Sequence, residues 1–250
     1  MTYDDVVAAL ESLADEKLRA FNARIMYTRM RVYGVRTPDL RRLAARVKRE
    51  CPDFAEGYFA RQDPSHEELL ICGMQTGKDA ERNARLLERL IPRMDCWAHT
   101  DMVIDGMKWV KDAHAFLRRF NGLKTGGEFE KRAFVVMLMQ LLARRNDFAP
   151  ISGELDSLPL GEYYVDMAVA WLISEVVARD YADGVRLLLS PRLTHDVRLK
   201  ALSKCRDSFR VPAERKAELK ALVTRAALEQ YTEILHGDQS LPFLRSAGEA

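Results

Sequence analysis

The chain is poor in the residues that mark special folds. Its 250 residues include 13 Gly and 9 Pro, a glycine share below the usual ~7%. Collagen-like and low-complexity chains are thereby excluded. The four cysteines, Cys51, Cys72, Cys96 and Cys205, form no C-x-x-C pair. That excludes a thioredoxin-like motif and a zinc ribbon of ordinary spacing. Four scattered thiols fit a reducing, cytoplasmic setting. No apolar run approaches the ~20 residues of a membrane helix. The longest, residues 167–177, is broken by Ser174 and Glu175. Residues 1–10 carry Asp4 and Asp5 and no apolar core, so no secretory signal is expected. Excess charge of one sign is missing too, with 39 Lys and Arg against 37 Asp and Glu, net +2. At 48% hydrophobic content the chain is not disordered. A chain this long buries roughly 70% of its unfolded surface.

Common reaction motifs are missing as well. There is no G-x-x-x-x-G-K-[ST], G-x-G-x-x-G or G-x-S-x-G segment, which argues against those nucleotide sites and that hydrolase elbow. His66-Glu67-Glu68-Leu69-Leu70 opens like H-E-x-x-H but lacks the second histidine. The five histidines are far apart in sequence. Neither a metal nor a cofactor is expected.

What is present is helical. Ala, Leu, Arg, Glu and Met dominate, all good helix formers. Apolar residues recur at three- and four-residue spacing, as in Leu86, Leu87, Leu90 and Ile91 or Val135, Leu138, Leu141 and Leu142, the signature of amphipathic helices. The pattern predicts helices over 2–14, 16–31, 38–50, 53–60, 65–76, 80–91, 96–110, 112–121, 128–143, 147–155, 161–179, 181–189, 194–208 and 212–235. Thr37-Pro38 reads as an N-cap followed by proline in the first helical position. Asp95 reads as the cap of a helix beginning at Cys96. No linker divides the chain, so one domain over 1–236 is expected, with a flexible tail at 237–250. Helix pairs at a rough 35-residue period suit an all-α solenoid of antiparallel pairs, HEAT-like or ARM-type. A compact irregular bundle fits the periodicity equally well.

The basic charge is uneven. Residues 28–50 hold eight basic and two acidic side chains, and residues 192–220 hold nine and four. Arg36, Arg41 and Arg42 in the first window and Lys200, Lys204 and Arg206 in the second are candidate phosphate contacts. A solvated face balanced by nearby acids is the plainer alternative.

Three further segments stand out. Met94-Asp95-Cys96-Trp97-Ala98-His99-Thr100-Asp101 sets Trp97 and Asp101 four residues apart near a helix start, on one face, with Asp105 a turn later. Arg132 sits in the first turns of an apolar helix. Trp171 lies inside another. Both indoles could be core residues, and Arg132 could simply pair with Asp101.

In this order and spacing these segments, with Tyr33-Gly34-Val35-Arg36-Thr37-Pro38-Asp39-Leu40-Arg41 before them and Ala168-Val169-Ala170-Trp171-Leu172-Ile173-Ser174-Glu175 after, resemble the HEAT-like-repeat DNA alkylation repair family, the AlkD-type DNA glycosylases. The likeness runs from about residue 33 to 222. It implies a curved solenoid with a concave basic groove that holds double-stranded DNA as a monomer. It implies hydrolysis of the N-glycosidic bond of cationic N3- and N7-alkylpurines, without cofactor. Asp101 matches the catalytic carboxylate, Trp97 and Trp171 the residues flanking the lesion's deoxyribose, and Arg132 a residue holding the DNA backbone. Two departures accompany the likeness. The stretch before Gly34 is shorter and differently patterned than in active glycosylases. Cys96 and Ala98 replace the first Trp and first Asp of the Trp-Trp-Asp-Thr opening. A non-catalytic DNA-binding paralogue and a protein-interaction scaffold are therefore the alternatives.

Overall fold

The computed structural model describes residues 1–237, with side chains through residue 228. The expected tail, 237–250, lies outside them except for Gly237. Fourteen α-helices and no strands form among the described residues, an all-α helical-repeat architecture. The chain divides into two compact units, one spanning Met1–Ala168 and the other beginning at Val169.

The first unit opens with α1 (Tyr3–Ser12) and α2 (Glu16–Ile25). Thr2 and Asp5 cap α1 reciprocally, and the Asp15 carboxylate accepts from Lys17 and Leu18 N–H at the start of α2, so each helix begins with its orphan donors partly satisfied. The predicted extension of α2 to residue 31 does not form. Tyr27 has φ 54°, and several N–H groups beyond it go to carboxylates distant in sequence. Asp95 accepts from Arg29 N–H at 2.7 Å. Glu67, 1% exposed, accepts from three consecutive N–H groups, those of Tyr33, Gly34 and Val35, at 3.0, 2.8 and 3.2 Å. A buried carboxylate with three donors is well compensated, and it holds this strip extended.

Next come α3 (Thr37–Glu50), α4 (Phe54–Ala60), α5 (His66–Gly73), α6 (Ala80–Leu90), α7 (Trp97–Val103), α8 (Ala113–Arg119), α9 (Glu128–Leu141) and α10 (Ile151–Asp156). Helix α3 starts one residue earlier than predicted. Arg36 is its N-cap and Thr37 is already helical. At α7 the cap is Cys96, not Asp95, because the Asp95 carboxylate is turned to Thr28 and Arg29. Helix α7 is also shorter than the predicted 96–110. It stops at Val103, and Gly106 at φ 73° turns the chain away. Asp105 therefore lies off the α7 helix, within reach of Gln140 and Arg144.

Odd-numbered helices of this unit stack in series, α3 on α5, α5 on α7 and α7 on α9. The repeat is visible in hydrogen bonds that join residues 32 or 33 positions apart: Gly34 to Glu67, Glu56 to Arg89, His66 to His99 and Thr100 to Arg132. Helix α5 is buried along its whole length, and in α9 Arg132 through Met139 are all buried. That matches its nearly continuous apolar sequence.

Helix α11 (Tyr163–Val177) begins in the first unit and continues into the second, which adds α12 (Tyr181–Leu188), α13 (His195–Asp207) and α14 (Ala213–Gly237). Helix α13 packs on α14. Glu175, 4% exposed, is held by Arg210 and Arg179. Burial opposes its charge, but the two guanidinium groups outweigh that and keep its pKa below the ordinary carboxylate value.

Candidate functional site

Asp101 lies on the second turn of α7 and Arg132 on the first turns of α9. Stacking of these two helices brings them together as a two-pronged ion pair. Arg132 Nε donates to Asp101 Oδ1 at 3.0 Å and Nη2 to Oδ2 at 2.8 Å. The Arg132 side chain is 7% exposed and that of Asp101 18%, so the fork is mostly buried, with Asp101 the more exposed partner. Nη1 donates to the Tyr164 carbonyl at 2.8 Å. Tyr164 N–H in turn donates to Glu128 at 2.7 Å, fixing the start of α11. Thr100 completes the arrangement. Its hydroxyl oxygen accepts from Arg132 Nε at 3.1 Å and lies 2.9 Å from the Trp97 carbonyl. A parallel guanidinium–carboxylate fork of this kind fixes both position and angle of the acid.

Trp97 is half-buried one turn before Asp101. Its indole N–H donates to the Ile25 carbonyl at 2.9 Å, and its ring packs beside Met26, Cys96, Ala98 and Val32. The indole is thus pinned to the end of α2. Trp171 is half-buried and belongs to the second unit.

The candidate phosphate contacts fall on two helices. Arg36 caps α3 and pairs with Asp15 at 3.0 Å. Arg42 pairs with Asp39, and Arg41 is exposed. In the second unit Lys200 pairs with Asp196, and Arg206 lies 3.2 Å from Asp207. Lys204 is half-buried on the same helix, α13.

Beside the acid pair lies a cluster that sequence spacing concealed. His66 and His99 looked unrelated, yet His66 Nδ1 lies 2.8 Å from His99 Nε2. His99 Nδ1 is 3.2 Å from Asp95 Oδ1. Burial, with the His99 ring beside it adding to the effect, lowers the His66 pKa to about 3, so its imidazole is neutral. Burial opposes the charge of Asp95, but His99, Thr28 and the Arg29 N–H outweigh it and hold the pKa at about 2. Burial pushes the Cys96 thiol up to about 11 against the pull of the His99 and Ala98 N–H groups. The signal that could have found this cluster is the 33-residue offset, one repeat of the helix stack.

A stacked helical-repeat array that sets an ion-paired Asp one turn after a Trp defines the class of protein at hand. The sequence model of the family described as DNA alkylation repair enzyme matches residues 6–230, and the chain belongs to that family. Comparison with curated proteins and with solved structures gives no match.

Proposed function

We propose that this chain is a DNA glycosylase that hydrolyses the N-glycosidic bond of cationic N3- and N7-alkylpurines. The observation that supports this reading is the Arg132 fork, which fixes the Asp101 carboxylate in one orientation while part of the Asp101 side chain remains exposed. An N-alkylated purine already carries positive charge and leaves readily. Breaking its bond to C1′ builds positive charge on the sugar, which a fixed carboxylate stabilises. The same carboxylate can direct a water at C1′. Trp97 would shield that sugar and attract its charge through the ring face. Arg132 has a different task here from gripping the backbone. Its donors are turned to Asp101, Thr100 and Tyr164, so it acts as a positioning residue.

Double-stranded DNA is the partner in this reading, contacted through Arg36, Arg41 and Arg42 on α3 and Lys200, Lys204 and Arg206 on α13. The test is release of 7-methylguanine and 3-methyladenine from methylated DNA. Wild-type protein should release at least one, and Asp101→Asn should lose at least a hundredfold in rate while still binding DNA. The reading fails if wild type releases neither, or if Asp101→Asn matches it.

One observation favours a second reading, a non-catalytic DNA-binding member of the family. With both oxygens of Asp101 in the fork the pair is neutral overall, which weakens its hold on a cationic sugar. DNA binding without release of either base is the outcome that selects this reading.

A further inference from the structure

We propose that His66, Cys96 and His99 form a site for one zinc ion, bound through the Cys96 sulfur and one nitrogen of each imidazole. His66 opens α5, Cys96 caps α7 and His99 stands on its first turn. The three candidate ligand atoms lie within 4.8 Å of one another. All three side chains are buried, none more than 4% exposed.

Zinc–nitrogen bonds of about 2.05 Å at a tetrahedral angle set two imidazole nitrogens about 3.3 Å apart. The His66–His99 pair, at 2.8 Å, needs to open by about half an ångström for an ion to replace the proton now shared between them. The donor set selects the metal. One thiolate with two imidazoles suits zinc and other thiophilic ions and does not suit magnesium or calcium.

The surroundings are arranged as a metal's second layer is. His99 has its other nitrogen, Nδ1, against Asp95 Oδ1 at 3.2 Å. A carboxylate behind a histidine fixes the ring and makes its far nitrogen a better donor. Asp95 is itself anchored, by the Thr28 hydroxyl at 2.6 Å and the Arg29 N–H at 2.7 Å. The charges also balance. A zinc ion at +2, the thiolate at −1 and the Asp95 carboxylate at −1 sum to zero, which removes the main objection to burying a cation. Binding releases the thiol proton to solvent, and the His66 proton moves from Nδ1 to Nε2, so each imidazole stays neutral and keeps one lone pair for the ion. Three protein ligands leave one coordination position to water.

Such an ion would clamp α5 to α7 and, through Asp95, the strip at residues 28–29. It would stiffen the helix that carries Trp97 and Asp101 without touching substrate. The proposal does not depend on glycosylase activity, and its test does not read it.

The test is a cobalt(II) titration of full-length protein stripped with chelator and kept reduced. One equivalent should produce thiolate-to-cobalt charge-transfer absorption, and zinc should displace it. Cys96→Ser should abolish the absorption, and Cys72→Ser should leave it intact. The proposal is overturned if folded wild type gives no such absorption, or if the absorption survives Cys96→Ser. X-ray absorption on the zinc-loaded wild type keeps the test independent of variants. A shell with two imidazoles and one sulfur is expected, and a shell without sulfur, or with two or more, overturns the proposal.

Discussion

At Asp101 the carboxylate has both oxygens in one guanidinium fork, and the fork is almost wholly out of water. Removing either partner strands the other. A buried charge without its counter-ion costs about 3 kcal/mol or more, so Asp101→Asn and Arg132→Met should each destabilise by about that much. The double variant should cost less than the sum, because neither charge is then stranded. A coupling of about 2 kcal/mol is expected from a double-mutant cycle in urea. Coupling below about 0.5 kcal/mol would mean the pair is hydrated and the acid is not rigidly held. The same result bears on chemistry, since loss of excision by Asp101→Asn is interpretable only where the variant is folded. Pairing of these two residues was one of the readings open in the sequence. Thr100 was not singled out, because a threonine between His99 and Asp101 gives no sign that its oxygen will face an arginine 32 positions away.

Among the elements, the strip from Tyr27 to Arg36 decides how α2 passes into α3. Gly34 has φ 82°. A Cβ there would lie 2.6 Å from the Arg19 nitrogen and 2.6 Å from the Asp15 carbonyl oxygen. Both are backbone atoms of α2 and its cap, so neither can swing aside. Gly34→Ala thus combines a left-handed backbone with a clash, a change worth about 2 kcal/mol. For a chain of this size that lowers Tm by about 4–8 °C, measurable by thermal melting. A melt within a degree of wild type would show that α2 is free to shift. All fourteen helices were anticipated in the sequence, with α2 and α7 read furthest past their ends. Beyond α7 the stop is local, the turn at Gly106 with φ 73°. Beyond α2 tertiary partners impose the ending, Glu67 and Asp95 capturing the N–H groups that follow. Local propensity cannot register a carboxylate 33 residues away.

For the molecule as a whole, the net charge of +2 conceals two basic windows, and the fold shows how those windows are tempered. Counts along the chain missed that Asp15, outside the first window, pairs with Arg36. Arg42 pairs with Asp39 and Arg46 with Glu50. These cations are mostly exposed, at 58–74% for Arg36, Arg42 and Arg46. Exposed pairs are worth about 0–1 kcal/mol, so a DNA phosphate can displace the carboxylate at little cost. Binding by the proposed route therefore remains electrostatic and dependent on salt. If about four phosphates are neutralised, the logarithm of affinity falls with that of salt at a slope near −3.6. Affinity for duplex DNA should then drop roughly a hundredfold between 50 and 200 mM salt, read by fluorescence anisotropy. Arg41, exposed on α3, contributes one such contact. Arg41→Ala should weaken binding to all sequences alike and flatten the slope by about one unit. Affinity that does not change over this salt range would remove DNA as the partner. A slope unchanged in Arg41→Ala would move the contact surface away from α3.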